Sequence, residues 1–218
     1  MTYSKKDILT SISLMIFIIS FAIVFTVFFN PLYYSDIYRL KIDMTSGLSI
    51  ETIKENYDIL IHYQSIFYQG PLVFKDFIMS NGGKIHFEEV KIIFEIIQVL
   101  MFVSMIFSIV LIYQQYKQKE FRFLKLTAII TIVIPLIIGS LAAIDFNRAF
   151  IIFHKIVFRN DYWLFNAVTD PIITILPETF FMHCFMMIII IVFLLVLICY
   201  IAYRQIRKKY LLTLTDKN

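Results

Sequence analysis

Two of the four histidines in this 218-residue chain, His86 and His154, stand where they could work as a pair. Each lies a few residues outside a long apolar run. Histidine titrates near neutrality and both takes and gives protons. A converging pair would therefore supply general acid–base catalysis; the alternative is two interfacial histidines with no chemical part. His62 falls on an amphipathic stretch and His183 just inside an apolar run, and both read as satisfied or packed side chains. Residues 146–181, around His154, hold the single tryptophan, Trp163, and a dense set of phenylalanines. That stretch is too polar to span lipid and too aromatic for an ordinary solvated loop. It suits the boundary between membrane and water and reads as the floor of an active site.

Missing motifs narrow the chemistry. There is no GxSxG elbow, HExxH, phosphate-binding loop or dinucleotide fingerprint. Cys184 and Cys199 both fall in the last apolar run, and on one helix roughly 22 Å of rise keeps them from bridging. Neither offers a nucleophile outside that run. No Cys/His spacing suits a metal, and no cofactor is called for. An enzyme built this way would rely on histidine and let the substrate bring its own nucleophile.

The elements that position these residues are membrane helices. Hydrophobic residues are 60% of the chain and charged residues 17%, against roughly 45–50% and about 25% in soluble domains. Four apolar runs cover residues 8–29, 92–113, 128–144 and 180–203. The third is at the short end of what spans. The first is too long for a signal-peptide core and lacks a cleavage site, so it reads as an uncleaved anchor. Basic clusters at Lys5 and Lys6, at Lys117, Lys119, Arg122 and Lys125, and at Arg204, Arg207, Lys208 and Lys209 fall on one side of a four-span chain. The positive-inside rule makes that side cytoplasmic.

Residues 30–91 and 145–179 then face out, with nine basic and twelve acidic residues between them. The expected fold is an α-helical integral membrane protein with four transmembrane helices and a small extracellular cap. The expected segments are an N-terminal span (1–29), the cap (30–91), two spans with a basic cytoplasmic loop (92–144), the aromatic outer segment (145–179), and a last span with a basic tail (180–218). Both termini are cytoplasmic. The net charge of +4 reflects orientation and anionic membrane lipid, not nucleic acid.

In the cap, Tyr33 and Tyr34 fall where interfacial aromatics are expected. Ser49 caps a helix beginning at Ile50, with Ile50, Ile53, Tyr57, Leu60 and Ile61 on one face. Gly70-Pro71 breaks it. Residues 72–79 fit a strand or a helix equally, and Asn81-Gly82-Gly83 reads as a turn. Lys91, Glu95 and Gln98 share a face at the mouth of the second span, either tying helices together or lining a site. Pro135 kinks the third span.

The pattern FxxxFxxFHxxxFxNDxWLFxxxTDxIIxxxPxxFF, from Phe146 to Phe181, resembles the bacterial lipoprotein intramolecular transacylases, the Lit family. The likeness extends to His86, Glu89, Val90 and Lys91, where the family more often has Asp in place of Glu89. Most of the cap, Tyr33 to Gly83, carries little of the likeness. The resemblance implies an acyltransferase in the bacterial cell membrane, with its active site on the extracellular face. Its substrate would be a diacylglyceryl lipoprotein with a free α-amine on its N-terminal cysteine. The sn-2 acyl chain moves to that amine and leaves the lyso form. By this resemblance His86 and His154 are catalytic, and Phe150, Phe153, Tyr162, Trp163 and Phe165 confine the substrate. Glu89 would orient His86, and Asp161 or Asp170 would orient His154, unless these acids serve the loop alone. The competing reading is a non-enzymatic polytopic membrane protein that binds a partner or regulates one.

Overall fold

The structure, a computed structural model, describes residues 2–215, with side chains as far as Lys209. Among the described residues it is all helical. The long helices are α1 (Lys5–Val27), α5 (Asn81–Lys117), α6 (Arg122–Ile144) and α8 (Glu178–Thr215). Shorter ones are α2 (Asn30–Arg39), α3 (Ile42–Ser46), α4 (Ile50–Tyr63) and α7 (Phe146–Val157), with a 3-10 helix at Pro171–Ile175. The four long helices are each long and apolar enough to cross a membrane. Their Leu, Ile, Val and Phe side chains stay exposed in large number, as on Ile92, Ile106, Ile137 and Ile198. Lipid covers such faces at no hydrophobic cost. Pro135 lies inside α6.

The chain divides into two compact units. The first combines Met1–Ile23, Val99–Gly139 and the chain from Ile188. Its apolar centre is Ile18, Ala22, Ala128, Val192 and Val196. Polar side chains add to it: Ser13 and Ser108 share a hydrogen bond of 2.8 Å, and Ser11 donates to the Phe123 carbonyl at 3.0 Å. Hydroxyls of this kind hold membrane helices together.

The second unit comprises Val24–Gln98 and Ser140–Met187. Its core gathers α2, α3, α4, the 3-10 helix and the start of α8 around Tyr33, Ile37, Ile53, Tyr57, Ile172, Ile175 and Phe180. Ser49 caps α4 as expected, accepting from Thr52 N at 3.1 Å. Ile53, Tyr57 and Leu60 are buried from the expected stripe, with Ile50 and Ile61 packed against them.

Four local expectations give way. Tyr33 is not interfacial: it is fully buried, stacks on Tyr57 at 3.6 Å and donates its hydroxyl to the Ile175 carbonyl at 2.7 Å. Helix α4 ends at Tyr63, ahead of Gly70-Pro71. It stops there because Lys91 Nζ gathers the carbonyls of Tyr63, Ser65 and Tyr68 at 2.6, 3.3 and 2.8 Å, while Gln98 Nε2 takes that of Gln64 at 2.9 Å. Lys91, Glu95 and Gln98 are therefore a latch on the loop after α4. Residues 72–79 form neither strand nor helix; Leu72 and Phe74 are buried in the core, and Asn56 Oδ1 accepts from Lys75 N at 3.1 Å.

Lastly, Asn81-Gly82-Gly83 is the first turn of α5, not a separate turn. Ser80 caps it, its Oγ accepting from Gly83 N at 2.9 Å. Asp170 then accepts from Ser80 N at 2.8 Å. A Cβ on Gly83 would run into Asp170 Oδ1 and press on the Phe165 ring at 3.2 Å. Glycine is there for room.

Candidate active site

His86 comes from the first turns of α5, before the apolar run that starts at Ile92. His154 comes from the last turn of α7. Asp145 starts α7 by accepting from Arg148 N at 2.9 Å, and the apolar residues at 146, 150, 153 and 157 recur on one side of it. The two imidazoles end with ring centroids 6.1 Å apart and 35° between planes.

Aromatic rings enclose the pair. Phe158 lies 4.7 Å from His86 and 5.5 Å from His154. Phe165 is 5.4 Å from His86. Phe150, Phe153 and Trp163 stand 4.0, 5.3 and 4.9 Å from His154. Of the residues expected to confine a substrate, Phe150, Phe153, Trp163 and Phe165 thus touch a histidine. Tyr162 lies over the start of α5, its Cδ1 3.1 Å from where a Gly82 Cβ would sit. Phe158 is the ring common to both histidines; its place four residues after His154, within the aromatic pattern, is the sequence signal for it.

Hydrogen bonds settle part of the proton inventory. His154 Nδ1 lies 2.8 Å from the Phe150 carbonyl. A carbonyl only accepts, so Nδ1 carries the proton and Nε2 keeps a lone pair. His86 is 6% exposed, and its Nδ1 is buried with no partner. Burial in this aromatic setting holds the His86 pKa down to about 4, and the neighbouring His154 adds to the effect. Burial also lowers the His154 pKa, partly offset by its hydrogen bond to the Phe150 carbonyl. Both imidazoles are therefore neutral at neutral pH.

The expected carboxylate orienters are otherwise engaged. Glu89 Oε1 accepts from Asn160 Nδ2 at 2.9 Å instead of reaching His86. Asp170 is spent on Ser80 N and on the Thr169 hydroxyl, the latter at 2.7 Å. Asp161 is exposed, and its backbone carbonyl accepts from Leu164 N at 3.1 Å. The group that orients His154 is a backbone carbonyl one helical turn back. Asn160 emerges as the tie between the two halves: beyond Glu89, its Oδ1 accepts from Tyr162 N at 3.1 Å and its carbonyl from Trp163 Nε1 at 3.0 Å. His183 hydrogen-bonds Asp36 Oδ2 through Nδ1 at 2.7 Å, and His62 is exposed against the Tyr68 ring at 4.8 Å. Among the described residues, no cluster of three or more His, Cys, Asp or Glu could hold a metal ion.

Residues 8–181 match the family model described as "Lipoprotein intramolecular transacylase Lit". The chain is also similar to the in meso structure of the membrane integral lipoprotein intramolecular transacylase Lit from Bacillus cereus. The identity is 36% over 95% of this chain and 96% of that one, at a TM-score of 0.93. Two further structures of that protein, each with one histidine replaced, by arginine or by alanine, match at 36% identity over 95% of this chain and 93% and 94% of theirs, with a TM-score of 0.86. No match was found among curated proteins. The all-helical fold, the four membrane-spanning helices and the family model agree: the chain is a multi-pass integral membrane protein and belongs to the lipoprotein intramolecular transacylases.

Proposed function

We propose that this acyltransferase moves the sn-2 acyl chain of a diacylglyceryl-cysteine lipoprotein to the α-amine of the same cysteine, with His86 and His154 handling the protons. The observation that carries the reading is the pair of imidazoles 6.1 Å apart inside an aromatic enclosure. Amine attack on the ester carbonyl closes a medium-sized ring through the cysteine N, Cα, Cβ and S, two glyceryl carbons, the ester oxygen and the carbonyl carbon. Such rings close unfavourably in free solution. Confinement supplies part of the ~7–11 kcal/mol available from orientation. Phe150, Phe153, Phe158, Trp163 and Phe165 are the confining walls.

The His154 tautomer supports one order of steps. His154 Nε2, with its lone pair free, takes the proton from the attacking nitrogen. The C–N bond forms, the carbonyl oxygen becomes an oxyanion, and the N–H of His86 donates to it. His86 is suited to this, since its low pKa keeps it neutral and makes its N–H a better donor. The tetrahedral centre then collapses. The bond to the glyceryl oxygen breaks, and that oxygen takes the proton back from His154. An amide and a free hydroxyl replace an ester and an amine, and no enzyme nucleophile is consumed.

The three basic clusters support cytoplasmic termini and an active site on the extracellular side of a bacterial cell membrane. On this reading residues 30–91 and 145–179 make the outer cap. The exposed apolar face of α7, with Ile152, Phe153 and Ile156, would rest in the lipid interface. Incubating the purified protein with a diacylglyceryl lipopeptide and analysing it by tandem mass spectrometry tests the reaction. The intact mass is expected to stay constant while one acyl chain becomes amide-linked. Loss of an acyl group would mean hydrolysis, and an unchanged lipopeptide would mean a binding protein.

A further inference from the structure

The proton-transfer steps leave one nearby charge without a task. Glu89 follows His86 by three residues on α5, so the two side chains are neighbours on one helix face. Its two oxygens differ. Oε1 accepts from Asn160 Nδ2 at 2.9 Å. Oε2 is buried with no partner. The lysines on either side are committed elsewhere, Lys84 to Glu88 and Lys91 to Glu95. A buried carboxylate oxygen with no donor carries a desolvation cost that a cationic ligand would relieve. The substrate offers such a cation. An α-amine with a pKa of about 7.7–8.0 arrives at neutral pH mostly as ammonium, and the two neutral imidazoles give that charge nothing to pair with.

We propose that Glu89 Oε2 takes the α-ammonium of the substrate's N-terminal cysteine and holds it one helical turn from His86. This rests on the transacylase reading. The ammonium donates to Oε2 on binding, releases one proton to solvent water, and attacks as the neutral amine, whose own proton passes to His154 Nε2 as the C–N bond forms. Glu89 stays a carboxylate throughout. Its other oxygen, through Asn160, steadies the turn that carries Trp163 against His154. The two oxygens thus divide binding from wall-building, and Glu89→Gln separates them. The glutamine amide oxygen still accepts from Asn160, while its NH2 has no acceptor to offer an ammonium.

The experiment measures binding to the full-length protein with two probes. One is a diacylglyceryl lipopeptide with a free amine and an ether-linked sn-2 chain, which cannot transfer. The other is its N-acetylated counterpart. The wild type is expected to prefer the free amine by about tenfold or more. E89Q is expected to weaken free-amine binding by about ten- to a hundredfold and to leave the acetylated probe unchanged. Glu89→Asp should keep part of the preference. Equal weakening of both probes by E89Q would make Glu89 a wall residue only and overturn the proposal, as would a wild type that does not distinguish the probes, a result independent of whether any variant folds. Turnover of the ester-linked lipopeptide is followed in parallel. If the wild type forms the amide but shows no amine preference, only the ammonium site fails; if it forms no amide, the transacylase reading itself fails.

Discussion

Two histidine sites in the same unit make opposite use of the same side chain. His183 on α8 hydrogen-bonds through Nδ1 to Asp36 Oδ2 on α2 at 2.7 Å, and Asp36 is fully buried. There the imidazole serves as a strut between two helices. His86 and His154 meet rings in place of carboxylates, with Phe158 in contact with both. A carboxylate commits a ring nitrogen and fixes the ring as a tie. An aromatic enclosure does neither: it keeps the imidazole neutral and leaves a nitrogen free to work. Contact with an acid, a common mark of a working histidine, here belongs to the strut.

The largest way to break that contrast is His154→Ala, expected to lower kcat by about 10²–10⁴, measured by amide formation from a diacylglyceryl lipopeptide, with little change in unfolding temperature. His183→Ala should invert the pattern. Removing the donor leaves Asp36 buried without its partner and costs about 2 kcal/mol, read by thermal unfolding in detergent, while kcat stays close to wild type. A rate loss at His183 equal to that at His154 would erase the distinction.

Next in size is the enclosure. Phe158→Ala removes the ring common to both histidines, and the acyl transfer should slow about ten- to a hundredfold through looser positioning, with KM the less affected. The same variant sharpens the electrostatic side. His86 and His154 both have pKa values lowered by burial, His86 to about 4. In the wild type the acid limb of the kcat profile therefore lies below the ordinary histidine value near 6.5. Letting water in should move that limb upward, toward 6.5. The same shifts fix a stability slope. Between about 6.5 and 4 the unfolded chain binds more protons at His86 than the folded one, so the contribution of His86 to stability is present above 6.5 and declines as pH falls through that window.

The smallest expected effect separates helix support from chemistry. Asp145 caps α7, which carries His154, and Ser49 caps α4, which does not. Either changed to Ala should cost about 1 kcal/mol in unfolding free energy. Only Asp145→Ala should add a measurable loss in kcat.

The sequence made the frame legible because the frame is repetitive physics. Apolar runs and the Ser49 cap are local signals, and each fell where its element is. The histidines were legible as a pair because alternating spans put them on one side. Partners distant in the chain were not. Tyr33 is a core residue only because Tyr57 and the Ile175 carbonyl meet it. Gly83 belongs to a helix because Asp170 reaches back to Ser80. Helix α4 ends early because Lys91, a full segment later, claims its carbonyls. Glu89 and Asp161 look like orienters by spacing, yet spacing does not reveal that Asn160 holds Glu89 or that a backbone carbonyl already fixes His154.

The central claim is that the acyl chain stays within one substrate molecule, enclosed beside two histidines. A crossover experiment tests it most directly. Equal amounts of a lipopeptide with light acyl chains and a light peptide, and of one with deuterated chains and a ¹⁵N peptide, are turned over together and sequenced by mass spectrometry. Transfer within one molecule should give amides in which each peptide carries only its own chains, and no amide at all with the His86→Ala, His154→Ala double variant. Mixed products, or full amide formation by that double variant, would contradict it.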